Sequence, residues 1–348
     1  MSPTDPAIAS LPKIHLHCHL EGSLRAETFV ELTRRDGIST RYRPGEEVAG
    51  PTDPAAVYQF ADFREFLLVF AAVSRALRTP DDYARLAREF VADALAQNVR
   101  YGELFISPSV WSFFHRELDL RAAVRGIVAE LRAANAGGAE FALIVDVTRN
   151  FGADAAMRTA QLAASLAGEG VIGIGLGGDE ARFPAELFSG VFAYARSEGL
   201  AVVAHAGEAD GAHSVRAAVE DLEVSRIGHG VRALEDPAVV ELLVHRGVTL
   251  EICPTSNYLT GAARRDAPHP LIELDARGVR IAIDADDPTL FGTTISAEYA
   301  HVAELAGMER LRRFIAQAIE SSFASPERKA ALHAALSGTS VPEREGAR

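Results

Sequence analysis

Imidazole and carboxylate side chains gather at four points of this chain, each at the end of a short apolar run. His15, His17 and His19 alternate within 14–19, His205 and Glu208 follow 201–204, His229 lies between two glycines, and Asp284, Asp286 and Asp287 follow 279–283. Strict alternation puts His15, His17 and His19 on one side of a strand. A lone strand-end histidine is usually a hydrogen-bonded structural residue. HxH on one strand, joined by a third histidine and an aspartate from other strands, is instead a set of three nitrogens and one oxygen suited to zinc. A catalytic zinc keeps one position open for water and lowers that water's pKa toward neutrality. Glu208, three residues beyond His205, and His229 are then placed to move protons. Both would be costly to bury without partners or such a role. His115, His245, His301 and His333 fall on loops or outer helices and keep the structural reading.

Those groups need a scaffold that brings distant strand ends together. Apolar runs alternate with helix-like segments eight times: 14–19 then 25–35, 99–106 then 120–134, 142–147 then 154–167, 171–176 then 184–197, 201–205 then 214–222, 226–229 then 237–246, 249–253 then 270–277, and 279–283 then 296–305. Runs such as AVVAHA and VTLEIC are apolar on successive residues, as expected of parallel strands covered on both faces. The pattern predicts an α/β fold, a (β/α)8 TIM barrel forming one domain over 1–348, whose catalytic groups sit at the C-terminal strand ends. An insertion over about 36–97 follows the first strand-helix unit. It holds a Pro/Gly-rich stretch at 43–54 and two amphipathic helices near 63–77 and 81–96, and from the catalytic side it would lie over the active face. Phe63, Phe66 and Phe70 recur there at helical spacing and would cap a pocket. The segment 338–348 reads as a frayed polar tail.

Composition narrows the function classes. A net charge of -13 over 348 residues argues against binding the phosphate backbone of nucleic acid. No apolar run approaches the roughly 20 residues needed to span a bilayer, and the N-terminus lacks a signal-peptide pattern. Cys18 and Cys253 are too few for a disulfide framework, so a cytoplasmic protein is expected. Cys18, between two of the strand histidines, would point into the packing on the other face.

The motifs taken together resemble the adenosine deaminase family of the amidohydrolase superfamily over about 11–324. They are Pro12-Lys13, HxHLEG at His17 to Gly22, Gly177-Gly178-Asp179-Glu180, His205-Ala-Gly-Glu208, Arg226-Ile-Gly-His229-Gly230, Cys253-Pro-Thr-Ser-Asn257 and Asp286-Asp287-Pro288. The resemblance implies that His17, His19, His205 and Asp286 bind one zinc ion, with His15 in a supporting role. It implies that Glu208 delivers a proton to N1 of a purine, that His229 orients and helps deprotonate the zinc-bound water, and that a protonated Asp287 meets N7. The main chain of Gly178 would face N3. Hydroxide attack at C6 would then expel ammonia and leave the 6-oxopurine. Members of the superfamily with two metals generally bridge them by a carboxylated lysine. The only lysines here are Lys13 and Lys329, which leaves a single metal. A catalytically dead relative would have lost ligands or the proton shuttle, and this chain keeps them all.

Several positions depart from the family's adenosine-specific pattern. Glu21 stands where Asp usually contacts the ribose 5′-hydroxyl, Phe105 where many members carry Arg, and Asp284-Ala285 where Asn-Thr is common. Glu21 and Phe105 are similar to adenine deaminases, whereas Gly177-Gly178-Asp179-Glu180 is similar to the nucleoside enzymes. A third branch deaminates 6-aminodeoxyfutalosine, whose bulky 5′ substituent would suit Glu21 and an aromatic insertion. The expectation is a small-molecule partner, an adenine nucleoside, with 6-aminodeoxyfutalosine and free adenine as alternatives, bound by Glu21, Gly178, Asp287, Phe66 and Phe70.

Overall fold

Each apolar run becomes a strand because its residues are covered on both sides, by the barrel interior and by the surrounding helices. The computed structural model describes residues 2–339 except 47, 61 and 62, and of 63 and 64 only the backbone. The strands are β1 (Lys13–His19), β2 (Val99–Ile106), β3 (Glu140–Thr148), β4 (Val171–Gly177), β5 (Ala201–Ala206), β6 (Arg226–His229), β7 (Thr249–Ile252) and β8 (Arg280–Ile283). They pair in parallel in the order β1 to β8. A bridge between Cys18 and Asp286 joins the segment after β8 back to β1. There His19 N donates to Asp286 O at 2.9 Å and Asp286 N donates to His17 O at 3.1 Å. This is the (β/α)8 barrel read from the sequence.

One expectation fails within β1. His15 pairs with Gly102 but Cys18 pairs with Leu104, so Leu16 and His17 together oppose one residue of β2. This β-bulge breaks the alternation. It is held by Asp284, whose Oδ1 accepts from both Leu16 N at 2.6 Å and His17 N at 3.0 Å. His17 and His19 consequently face the barrel interior, while His15 lines a separate cavity with Phe90 and Ala94 of helix Pro80–Ala96. Burial holds the His15 imidazole down at about 3, so it is neutral there.

The helices begin where local chemistry dictates. In Pro80–Ala96 the Thr79 hydroxyl accepts from Asp82 N, the Asp82 carboxylate accepts from Thr79 N, and proline opens the first turn. Two short helices, Pro108–Phe114 and Pro254–Thr260, follow β2 and β7. Each is 7 residues long, too short to leave a periodic signal. In the insertion, helix Phe63–Ala76 places Phe66, Leu67 and Phe70 at the mouth of the barrel, whereas Pro80–Ala96 packs along Leu120–Ala133 on the flank. The Phe63 side chain and the tail from 340 onward lie outside the described residues. No described helix is long and apolar enough to cross a membrane.

The main core lies between sheet and helices. Inside the barrel, Phe105, Ile144 and Val203 form a small apolar cluster, and below the strand ends sits a fully buried layer of charge. Arg226 donates to both Glu103 and Glu251, and Glu103 also accepts from Tyr101 Oη at 2.8 Å and Phe323 N at 2.6 Å. The Phe323 ring covers the Arg226 guanidinium at 4.0 Å.

Candidate active site

The charged layer orients the first imidazole. His17 Nδ1 lies 2.8 Å from Glu251 Oε2; Glu251, facing Arg226, is the acceptor, so Nδ1 carries a proton and Nε2 is the nitrogen turned toward the site. Burial alone would raise Glu251's pKa, but Arg226 and His17 outweigh it and hold the carboxyl below its ordinary value. His17 Nε2 is buried without a partner. His205 is set in the same way, with Nδ1 3.2 Å from the Leu176 carbonyl and Nε2 facing inward. His19 Nε2 lies 3.1 Å from His205 Nε2, and both His17 Nε2 and His19 Nε2 lie 3.5 Å from Asp286 Oδ1. Phe105 packs against the His17, His19 and His205 rings, with centroids 4.9, 5.2 and 5.7 Å away.

By ligand-atom spacing alone, His17, His205, His229 and Asp286 form the tight group, with atoms within 4.8 Å of one another. His229 differs from the others in its neighbours: its Nδ1 lies 3.0 Å from Asn257 Nδ2, and its Nε2 lies 3.6 Å from Glu208 Oε2 and 3.9 Å from Asp286 Oδ2. The imidazoles of His17, His19, His205 and His229 and the Asp286 carboxylate converge here, a donor chemistry that suits a divalent metal such as zinc. The partnerless Nε2 of His17, and the two Nε2 atoms facing each other across 3.1 Å, are the marks of such a fit. Ser256 Oγ donates to Asp286 Oδ2 at 2.6 Å. Burial pushes the Asp286 pKa up, but the surrounding imidazoles prevail and hold it well below the usual carboxylate range. His229 and Asp286 both adopt left-handed backbone, φ 64° and 61°, which costs about 1–3 kcal/mol each and is typical of functional positions.

The other carboxyl groups behave oppositely. Glu208 and Asp287 both have raised pKa values, mainly through burial, with the Asp286 charge adding to each. Asp287 Oδ1 is buried without a partner. The loop bearing Glu208 is fixed by Glu180, whose carboxylate accepts from the main-chain N–H groups of Gly207, Glu208, Ala209 and Asp210. Buried Arg149 donates to the carbonyls of His205 and Phe183, tying the same strand end down. Gly178 has φ 98°, and a Cβ there would collide with the Asn150 side-chain oxygen, so glycine is required.

These groups open into one cavity of about 430 Å³, whose lining includes His19, His205, Glu208, His229, Asp286 and Asp287, with Gly178 on its wall and Phe66, Phe70 and Phe291 above. Phe66 stacks on Phe291 at 4.8 Å. Glu21 is placed elsewhere. It is buried outside the cavity lining, and its Oε1 accepts from Ser107 N at 2.9 Å and Trp111 Nε1 at 2.7 Å. Both cysteines are buried and free. Ser256 and Asn257 stood within a motif without a role attached, Glu180 within another, and Glu251 and Asp146 carried no motif signal at all.

A family model described as adenosine deaminase matches residues 12–338. The chain is 38% identical over 336 residues to an adenine deaminase of Rhodospirillum rubrum, covering 95% of this chain and 98% of that protein. It is 36% identical over 340 residues to an aminodeoxyfutalosine deaminase of Streptomyces avermitilis, covering 94% and 91%. Among solved structures, an amidohydrolase from Burkhoderia ambifaria with bound zinc superposes with a TM-score of 0.85 at 28% identity, over 97% of this chain and 92% of that one.

Proposed function

This chain belongs to the adenosine deaminase family and is an aminohydrolase; from that premise we propose that it removes the 6-amino group of an adenine nucleoside by zinc-assisted hydrolysis, in the cytoplasm. His17, His19, His205 and Asp286 would hold one zinc ion. Bound there, the ion supplies Lewis acidity and brings the pKa of a water toward neutrality.

The chain's own residues do the rest. Glu208, whose pKa burial raises, would donate to N1 and so draw electron density from C6. Asp287, raised mainly by burial as well, would donate to N7. His229, fixed by Asn257, orients the attacking water. Glu180 keeps Glu208 in place. Gly178 brings main chain against N3, and Phe66 and Phe70 exclude water from above. The products are the 6-oxopurine and ammonia.

What supports a nucleoside is the lining of the cavity, which besides Glu208, Asp287 and Gly178 includes the polar side chains of Thr148, Asn150 and Asp179. These have no part in the contacts assigned to the ring and offer polar groups for a sugar. Free adenine is the second reading, favoured by Glu21, which is tied to Trp111 and Ser107 and shapes the wall indirectly. The test compares kcat/KM of zinc-loaded protein on adenosine, 2′-deoxyadenosine, adenine and 6-aminodeoxyfutalosine, by the ultraviolet change on loss of the amino group. The nucleosides should exceed adenine. The reverse order selects the second reading, and no turnover of any of them removes the aminopurine reading.

A further inference from the structure

One carboxyl group in the cavity has no part in the roles assigned above. Asp146, at the end of β3, is 5% exposed, lines the cavity, and has an Oδ1 with no hydrogen-bond partner. A buried polar group without a partner is unfavourable unless a ligand supplies one. Space for this side chain comes from β4, where a Cβ at Gly175 would lie 2.6 Å from Asp146 Oδ1 and one at Gly177 would overlap Oδ2. Two strand positions without side chains therefore admit one carboxyl group. Burial lifts its pKa to about 7, so near neutrality it is ionised in a large share of molecules and accepts hydrogen bonds.

The direction Asp146 faces follows from strand order. In the proposed pose N1 meets Glu208 after β5, N3 meets Gly178 after β4, and N7 meets Asp287 after β8. Around a purine, the next nitrogen after N1 and N3 is N9; around the barrel, the next strand after β5 and β4 is β3. We propose that Asp146 determines specificity at the N9 side of the purine by accepting a hydrogen bond from the donor carried there. This rests on the aminopurine reading of the site. The donor is either the N9–H of a free base or a sugar hydroxyl of a nucleoside, and a 9-alkylpurine has neither.

Wild type, Asp146→Ala and Asp146→Asn are compared on adenine, adenosine, 2′-deoxyadenosine and 9-methyladenine, with kcat and KM separated and thermal melting recorded for each variant. In Asp146→Ala the kcat/KM ratio of the preferred donor-bearing substrate to 9-methyladenine falls about 10- to 100-fold, and the amide acceptor of Asp146→Asn restores part of it. A fall for adenine identifies N9–H; a fall for adenosine identifies the sugar, and its absence for 2′-deoxyadenosine narrows that to the 2′-hydroxyl. An unchanged ratio, equal losses on every substrate, or an Asp146→Ala protein that melts well below wild type overturns the assignment. Wild-type protein that deaminates none of the four overturns the aminopurine reading, and Asp146's role with it.

Discussion

In the lower layer of the barrel, Arg226, Glu103 and Glu251 are fully buried and saturate one another, with Tyr101, Phe323 and His17 completing the set. In the layer above, Asp146 and Asp287 each keep a buried oxygen without a partner, and Glu208 has the His229 imidazole 3.6 Å away. The charges are of the same kinds, but the lower ones are complete within the protein and the upper ones are not. The lower layer therefore serves to fix His17, and the upper layer is left for a ligand to complete. Stability and activity should accordingly respond in opposite ways to substitutions in the two layers.

The largest effect is expected at the lower layer. Arg226→Met leaves two buried carboxylates facing each other and should cost about 3–5 kcal/mol in denaturant unfolding, with loss of metal retention as His17 comes free. A variant as stable as wild type would mean that the layer is not a closed charge network. In the upper layer, Glu208→Gln should retain zinc and melt no lower than wild type, while kcat drops about 10²- to 10⁴-fold; undiminished turnover removes Glu208 from proton transfer. A pH dependence is also expected at Asp146. Its carboxyl ionises near 3.8 in the unfolded chain and at about 7 in the folded one, so between those values the folded state holds the extra proton and stability falls as pH rises. Unfolding free energies of Asp146→Asn and wild type should diverge in favour of the variant from pH 4 to pH 7 and run parallel above it. A constant difference would mean that Asp146 is not desolvated.

The barrel was legible because parallel strands buried on both faces read as continuous apolar runs, and each was followed by a helix with its own stop signals. The residues proposed here as metal donors stand out because such a barrel gathers strand C-termini at one rim, where polar residues end apolar runs. The supporting residues were less so. Glu251 looks like any strand residue until it is found 2.8 Å from His17, and Glu180 is one acid among many until four N–H groups are seen to converge on it. Pro108–Phe114, which carries the Trp111 that holds Glu21, is too short for a periodic pattern.

The sequence by itself determined which side chains could bind a metal and move protons, since that follows from residue type and from position at the end of an apolar run. Tertiary structure alone decided how they are placed and what they touch. His15 and His17 are separated by a bulge that depends on Asp284, contributed from the far end of the chain. His17 and His229 differ in what the other ring nitrogen meets, the Glu251 carboxylate for one and the Asn257 side-chain amide for the other. Imidazole partner, bulge and partnerless oxygen are each set by groups distant in the chain, and only the closed barrel brings those groups together.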